Sequence, residues 1–324
     1  MPDKDKDIAG KNFIGTNEIF ADILSTCLDL EEIHPEDLTD YDTHSFSQSQ
    51  NRLRALERDV FKIWKAPGGE KFAIGIEIQS RPDFTMPARV IRYDAAEYDR
   101  QAVSVAEARK RRRGGQVRSA SANSQMPVVT YVLYLGTKPW KAPLDIAGQF
   151  HVTERYAAAF GLSEKRIHLI DAGGLSAQVI NKMKSDFRYI IMFLKSARKH
   201  EQFVPDATME LRHPIKFGLF LAALQGIKMD ENRLQELLNN VDEDERTVMT
   251  MLSLLSPEER KSIYNTAWDK AAEATLKEAG RLYSWLIQSG RLDDALKAAK
   301  DKAEFDRLFA QMEKSTAQNG SGKV

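Results

Sequence analysis

The stretch RDVFKIWKAPGGEKFAIGIEIQS, residues 58–80, decides the fold. Its first part, RDVFKIWKA (58–66), alternates Val60 with Lys62 and Ile63 with Lys65, and its second, KFAIGIEIQS (71–80), is another β-friendly run. Pro67-Gly68-Gly69 between them is turn chemistry, and so short a connection folds two strands into a hairpin. Side chains alternate along a strand, so Glu77 and Gln79 leave one face while Ile76 and Ile78 leave the other. Closing the hairpin brings Asp59 within reach of Glu77.

Downstream, PDFTMP (82–87) ends the second strand, and Ala88 to about Arg113 reads as a long helix. GGQVRSASANSQ (114–125) is a flexible loop by composition. PVVTYVLYLG (127–136) is almost continuously apolar, as suits a central strand covered on both faces, and RIHLIDA (166–172) is a further strand after a helical 151–162. Strands alternating with helices give an α/β layered domain. Upstream, Ile14, Ile19, Phe20, Ile23, Leu24 and Leu28 recur at helical spacing, so Asn12 to about Leu30 is a helix. SAQVINKMKSDFRYIIMFLKSARKH (176–200) opens with a capping serine and reads as one helix. Further helices are expected near 206–226, 230–240, 243–254 and 257–289. The expected organisation is an α/β core over 12–200 and an all-helical C-terminal region over 201–315, with 1–11 and 316–324 disordered.

With 324 residues, 42% hydrophobic and 29% charged, the chain has material for a sizeable core, which excludes a wholly disordered or collagen-like protein. No run approaches the roughly 18 apolar residues of a membrane span, and MPDKDKDIAGKNF has no signal-peptide core; a membrane partner is not expected, and the cytoplasm is. The single cysteine, Cys27, leaves no internal disulfide and no cysteine-cluster zinc site. The net charge of zero hides an uneven distribution. Residues 51–200 carry 27 Lys and Arg against 14 Asp and Glu, whereas residues 1–50 carry 3 against 12. A basic middle points to a surface facing a polyanion, although part of the excess is one run, RKRRRGGQVR (109–118), which solvent alone would also accommodate.

Two carboxylates held close repel, and a hard divalent cation such as Mg²⁺ or Mn²⁺ stabilises them. The Ile78 backbone carbonyl, between the two site residues, would provide another oxygen ligand, and Gln79 would hydrogen-bond a water or a phosphate. By spacing alone, an acid and a glutamine two apart on a strand are commonplace, and a solvent-facing polar stripe accounts for Glu77 and Gln79. Other chemistries lack their signatures: the six histidines form no HExxH, and no P-loop, GxSxG or GxGxxG occurs.

The ordered series NEIF (17–20), ERDVFKIWK (57–65), IGIEIQS (74–80), DFTMPARVIRYDAAEYDRQ (83–101) and PVVTYVLYLGTKPWKAP (127–143) resembles the PD-(D/E)XK nuclease family transposases, also called Rpn-type recombination-promoting nucleases. The likeness spans about 12 to 200, with a weaker trace in GRLDDALKAA (290–299). It implies a restriction-endonuclease-like core, a mixed sheet flanked by helices, and metal-dependent cleavage of DNA phosphodiesters. Asp59 then matches the metal-binding acid, Glu77 the second acid, and Gln79 the place usually held by lysine. Glu18 in the first helix would be the additional acid. Two departures stand out: Arg58 replaces the nominal proline, and glutamine brings no charge to the developing phosphorane. Arg89 and Arg92, three apart on one helix face, would touch phosphate or pin the acids, unless they make a structural ion pair with Asp94, Glu97 or another acid. Gln101 and the run Arg111, Arg112, Arg113 would extend the nucleic-acid face. Trp140 is read as packing.

The expected function is therefore a Mg²⁺-dependent DNA endonuclease of low sequence specificity in recombination or mobile-element biology. The competing expectation is a catalytically weak or inactive nuclease fold that binds nucleic acid or a protein partner. A third reading makes the C-terminal helices a self-association module, and a homodimer would suit two-strand cleavage.

Overall fold

A computed structural model describes residues 2–30, 33–49, 52–112, 125–201, 203–205, 208–239, 241–253 and parts of 281–312. The chain divides into two compact units, Met1–Tyr264 and Asn265–Val324. The first opens with helices α1 (Pro2–Ile14) and α2 (Asn17–Leu28). Strands β1 (Leu38–Asp40), β2 (His44–Ser49), β3 (Arg52–Glu57), β4 (Val60–Lys65) and β5 (Lys71–Gln79) follow, then α3 (Met86–Arg112), β6 (Val128–Tyr134), α4 (Ile146–Gln149), α5 (Glu154–Ala159) and β7 (His168–Asp171). Helices α6 (Ala177–Lys182), α7 (Phe187–Lys199), α8 (Pro214–Leu224), α9 (Glu231–Leu238) and α10 (Val248–Ser253) complete it.

The sheet order is β1-β4-β5-β6-β7. β4 and β5 form the expected antiparallel hairpin, with Val60 opposite Ile76 and Lys65 opposite Lys71. Its turn is closed by the Gly69 amide donating to the Ala66 carbonyl at 2.8 Å, and Gly69 takes φ 90°, where a side chain would be strained. β5, β6 and β7 run parallel, and α3 makes the crossover from β5 to β6. β1 covers the β4 edge antiparallel. That pairing sets Asp40 opposite Lys62, and the two side chains meet as an ion pair, which explains how a lysine stands 1% exposed within a strand. The result is the mixed sheet with flanking helices expected from the sequence. β2 and β3 form a separate two-stranded antiparallel hairpin.

Ile74, Ile76 and the half-buried Phe72 and Ile78 pack into the principal core with α1, α2, α7 and α8. The opposite face of β5 points toward α3. Phe13 of α1 stacks on Phe220 at 5.1 Å and meets Phe217 edge-on at 6.2 Å. These partners lie some 200 positions away in sequence, which is why residues 2–11, polar and unpatterned, belong to a helix rather than to a disordered end. Phe13 is fully buried, so Phe13→Ala is expected to cost about 3–5 kcal/mol, read from a urea midpoint.

The single helix expected over 12–30 breaks at Gly15 and Thr16 into α1 and α2. The one expected over 176–200 breaks at residues 183–186, where the Asp22 carboxylate accepts the amides of Lys184 and Ser185 while Asp186 accepts those of Arg212 and His213. Helices α8, α9 and α10 share the principal core through Phe217, Phe220, Leu234, Val248 and Met251, so the chain divides after 264 and not at 200. In the second unit, Leu282, Leu286, Leu308 and Phe309 form a small core of their own. Most of the helix expected at 257–289, the loop at 114–125 and the tail at 316–324 lie outside the described residues. Among the described residues, no helix is long and apolar enough to cross a membrane.

Candidate active site

The β4–β5 register ends at Val60 opposite Ile76. The N–H and C=O of one strand residue leave on the same side, so those of Ile78 point past the end of β4. Asp59 fills that place, and its Oδ2 accepts the Ile78 amide at 2.8 Å. The Ile78 carbonyl is directed to the same side. Glu77 is 0% exposed; its Oε2 accepts from Arg89 Nη2 at 3.0 Å, while its buried Oε1 has no well-formed hydrogen bond among the described residues. Leaving such an oxygen unpaired costs about 1–3 kcal/mol, which a protein keeps where a ligand is to be met. Burial first, then the Asp59 charge, push the Glu77 carboxyl up to about 7 against the pull of Arg89, Arg58 and the Asp59 backbone amide. Asp59 is also raised, mainly by burial, with the Ile78 amide and Lys11 opposing.

A buried scaffold holds this pair. Arg58 is 1% exposed; it donates to the Thr130 hydroxyl on β6 and, at 3.3 Å, to Asp94 Oδ1 on α3, and it stacks over Phe61 at 4.4 Å. It crosses β5 at Gly75, where a Cβ would stand 2.9 Å from Arg58 Nη1. Arg89 is fixed by Asp83 at 3.4 Å and by the Tyr93 hydroxyl at 3.1 Å besides Glu77. From the other side of the sheet, Lys11 of α1 places Nζ 3.4 Å from Asp59 Oδ1. The two acids are thus flanked by one cation from each helical layer.

The structure brings Asp59, Glu77, the Ile78 backbone and Arg89 together. Gln79 shares the Glu77 face, half-buried, and its amide makes no hydrogen bond among the described residues. Arg92 is exposed on the next turn of α3. Arg89 both pins an acid of the site, Glu77, and makes a structural ion pair with another acid, Asp83, as each of the two expectations had it. Glu18 Oε2 meets His213 Nε2 at 2.8 Å, and among the described residues it forms no metal-holding group with Asp59 and Glu77. Gln101 is removed from any nucleic-acid face. It is buried, donating to Glu97 Oε1 at 3.0 Å and accepting the Met126 amide at 2.7 Å, which ties the entry of β6 back to α3. Arg113 and the side chains of Arg111 and Arg112 lie outside the described residues. Trp140 packs edge-on against Tyr134 at 5.1 Å, as expected. Lys11 and Arg58 are the site residues that sequence reasoning missed; a glycine in the middle of β5 was the available sign that a large group crosses there.

Among the described residues, no group of three or more His, Cys, Asp or Glu is arranged to hold a metal ion. Two carboxylates and a carbonyl still suit Mg²⁺, which retains several waters and takes one or two carboxylates with substrate phosphate oxygens. The buried Glu77 Oε1, without a well-formed hydrogen bond among the described residues, is the feature that fits an absent cation.

A mixed sheet that presents two acids at the open end of its central hairpin, with a crossover helix beside them, defines an α/β nuclease-like core. The chain belongs to the family described as "Putative transposase, YhgA-like", whose profile matches residues 5–214; this is the PD-(D/E)XK family of Rpn type. No curated protein and no solved structure gives a match.

Proposed function

We propose that the protein is a cytoplasmic Mg²⁺- or Mn²⁺-dependent endonuclease that hydrolyses DNA phosphodiester bonds with low sequence specificity, in recombination or mobile-element biology. The observation that supports this reading is the juxtaposition of Asp59 and Glu77, the latter buried and with an oxygen that lacks a well-formed hydrogen bond among the described residues. Asp59, Glu77 and the Ile78 carbonyl would hold the ion. When bound, Mg²⁺ supplies an activated water and neutralises charge on the phosphate. Arg89 keeps the Glu77 carboxylate in one orientation. Gln79, uncharged and unengaged on the same face, aligns the water by hydrogen bonding. Arg92 offers an exposed charge to a neighbouring phosphate, and the basic run at 109–118 adds backbone affinity that falls with salt.

Purified protein with Mn²⁺ is expected to nick supercoiled plasmid, and Asp59→Ala or Glu77→Ala to lower the rate at least 100-fold. Folded wild-type protein that binds plasmid and leaves it intact across a range of salt removes the enzymatic reading. One observation favours a silent nuclease fold that only binds DNA: each acid already has a cationic partner, Arg89 or Lys11. Calorimetry separates the two, since a competent site takes up Mn²⁺ and a self-neutralised one does not. A homodimer belongs to the proposal, because cutting both strands takes two sites; light scattering on the full chain reads it.

A further inference from the structure

Lys11 is the charged group at the acid pair for which the mechanism above has no task. It lies in the last turn of α1 and is 23% exposed. Its ammonium stands 3.1 Å from Glu57 Oε1, 3.2 Å from Asp7 Oδ2 and 3.4 Å from Asp59 Oδ1. The plain alternative is an ion pair that serves stability alone. Glu57 and Asp7 are about half exposed, and exposed pairs of that kind contribute little. The contact with Asp59 is different, because that side chain is only 11% exposed. The approach is also set by the fold: Gly10 lies against Ile78 and Phe220, and Phe13 is locked in the core. Helix α1 therefore delivers Lys11 to the rim of the acids instead of to solvent. On the other side of Asp59, the polar side chain next to Glu77 is Gln79, which has no charge to offer.

We propose that Lys11 is the cation that neutralises the scissile phosphate, performing from helix α1 the electrostatic work that Gln79 cannot. This rests on the nuclease reading. In the hydrolysis, a water oxygen bonds to phosphorus while the bond from phosphorus to the leaving deoxyribose oxygen breaks. One water proton ends on that leaving oxygen and the other on the new terminal phosphate. Lys11 keeps its own protons throughout and acts as a point charge beside the phosphoryl oxygens. Its flexible stem lets the ammonium pass from Asp59 to phosphate without moving the helix, and Asp7 and Glu57 hold it at the rim in the absence of substrate.

The test uses the full chain, supercoiled plasmid and Mn²⁺, with calorimetry of Mn²⁺ alone as the second readout. Lys11→Met is expected to lower cleavage at least 100-fold while Mn²⁺ affinity stays within about threefold of wild type. Lys11→Gln, which keeps hydrogen bonds to Asp7 and Glu57, is expected to lose as much, and it decides the matter if the methionine variant does not fold. Lys11→Arg retains more than a tenth of the activity. Returning the charge to the other side, in Lys11→Met combined with Gln79→Lys, restores at least tenfold over Lys11→Met. Near-wild-type cleavage by Lys11→Met or Lys11→Gln overturns the proposal. So does loss of Mn²⁺ binding together with cleavage, or a folded double variant that recovers nothing. Wild-type protein that does not cleave brings down the nuclease reading itself, which is distinct from a cleaving protein indifferent to position 11.

Discussion

Glu77→Gln is expected to make the protein more stable above pH 7 while abolishing Mn²⁺ uptake and cleavage. Glu77 is fully buried, and burial with the Asp59 charge raises its carboxyl from near 4.5 to about 7. The native state thus keeps a proton that the unfolded chain releases near 4.5. Between those values the folded protein binds more protons, so stability falls as pH rises; the contribution is fully present below 4.5 and gone above 7. A displacement of this size corresponds to roughly 3 kcal/mol. Glutamine carries no charge to desolvate, still accepts from Arg89, and removes the repulsion with Asp59. Urea midpoints of variant and wild type should nearly coincide at pH 5 and separate at pH 8, the variant being more stable by on the order of 1–3 kcal/mol. Equal destabilisation at both pH values would mean that the Arg89 pairing outweighs burial. The same proton competes with the ion, so Mn²⁺ affinity in the wild type should rise about tenfold per pH unit below 7 and flatten above it.

The second large effect lies one residue before Asp59. Arg58→Ala is expected to cost about 3–5 kcal/mol, because it leaves the Asp94 carboxylate, already raised by burial, without its guanidinium. It also opens a void beside Gly75 and between the Phe61 and Tyr93 rings, which Arg58 faces at 4.4 and 5.3 Å. Since Arg58 is adjacent to Asp59, cleavage should fall in the same variant even at temperatures where it stays folded. Gly75→Ala approaches the same scaffold from the opposite strand and should destabilise in the same direction. A thermal midpoint for each variant checks this, and an Arg58→Ala protein within about 0.5 kcal/mol of wild type would show that the buried network holds nothing in place.

What the sequence could tell follows from what is local. The alternation at 71–80, the Pro-Gly-Gly turn and the apolar 127–136 run report their own strands, and period two alone assigns Glu77 and Gln79 to one face. Helix α1 escaped because its apolar partners, Phe217, Phe220 and Ile78, come from distant segments. The partner of Glu18 is hidden for the same reason, as only tertiary packing sets His213 beside it. Gln101 looked like a surface polar group on a helix. Its burial depends on how the chain re-enters at Met126, which helical spacing cannot reveal. Arg58 was weighed only as a missing proline, although a buried arginine beneath the acids explains both Gly75 and Thr130.

Crystals soaked in Mn²⁺ and measured by anomalous scattering test the central claim most directly. One peak is predicted, in contact with carboxylate oxygens of Asp59 and Glu77 and with the Ile78 carbonyl, and absent from Glu77→Gln crystals. Well-ordered crystals with no density there, or with manganese bound only elsewhere, would contradict it.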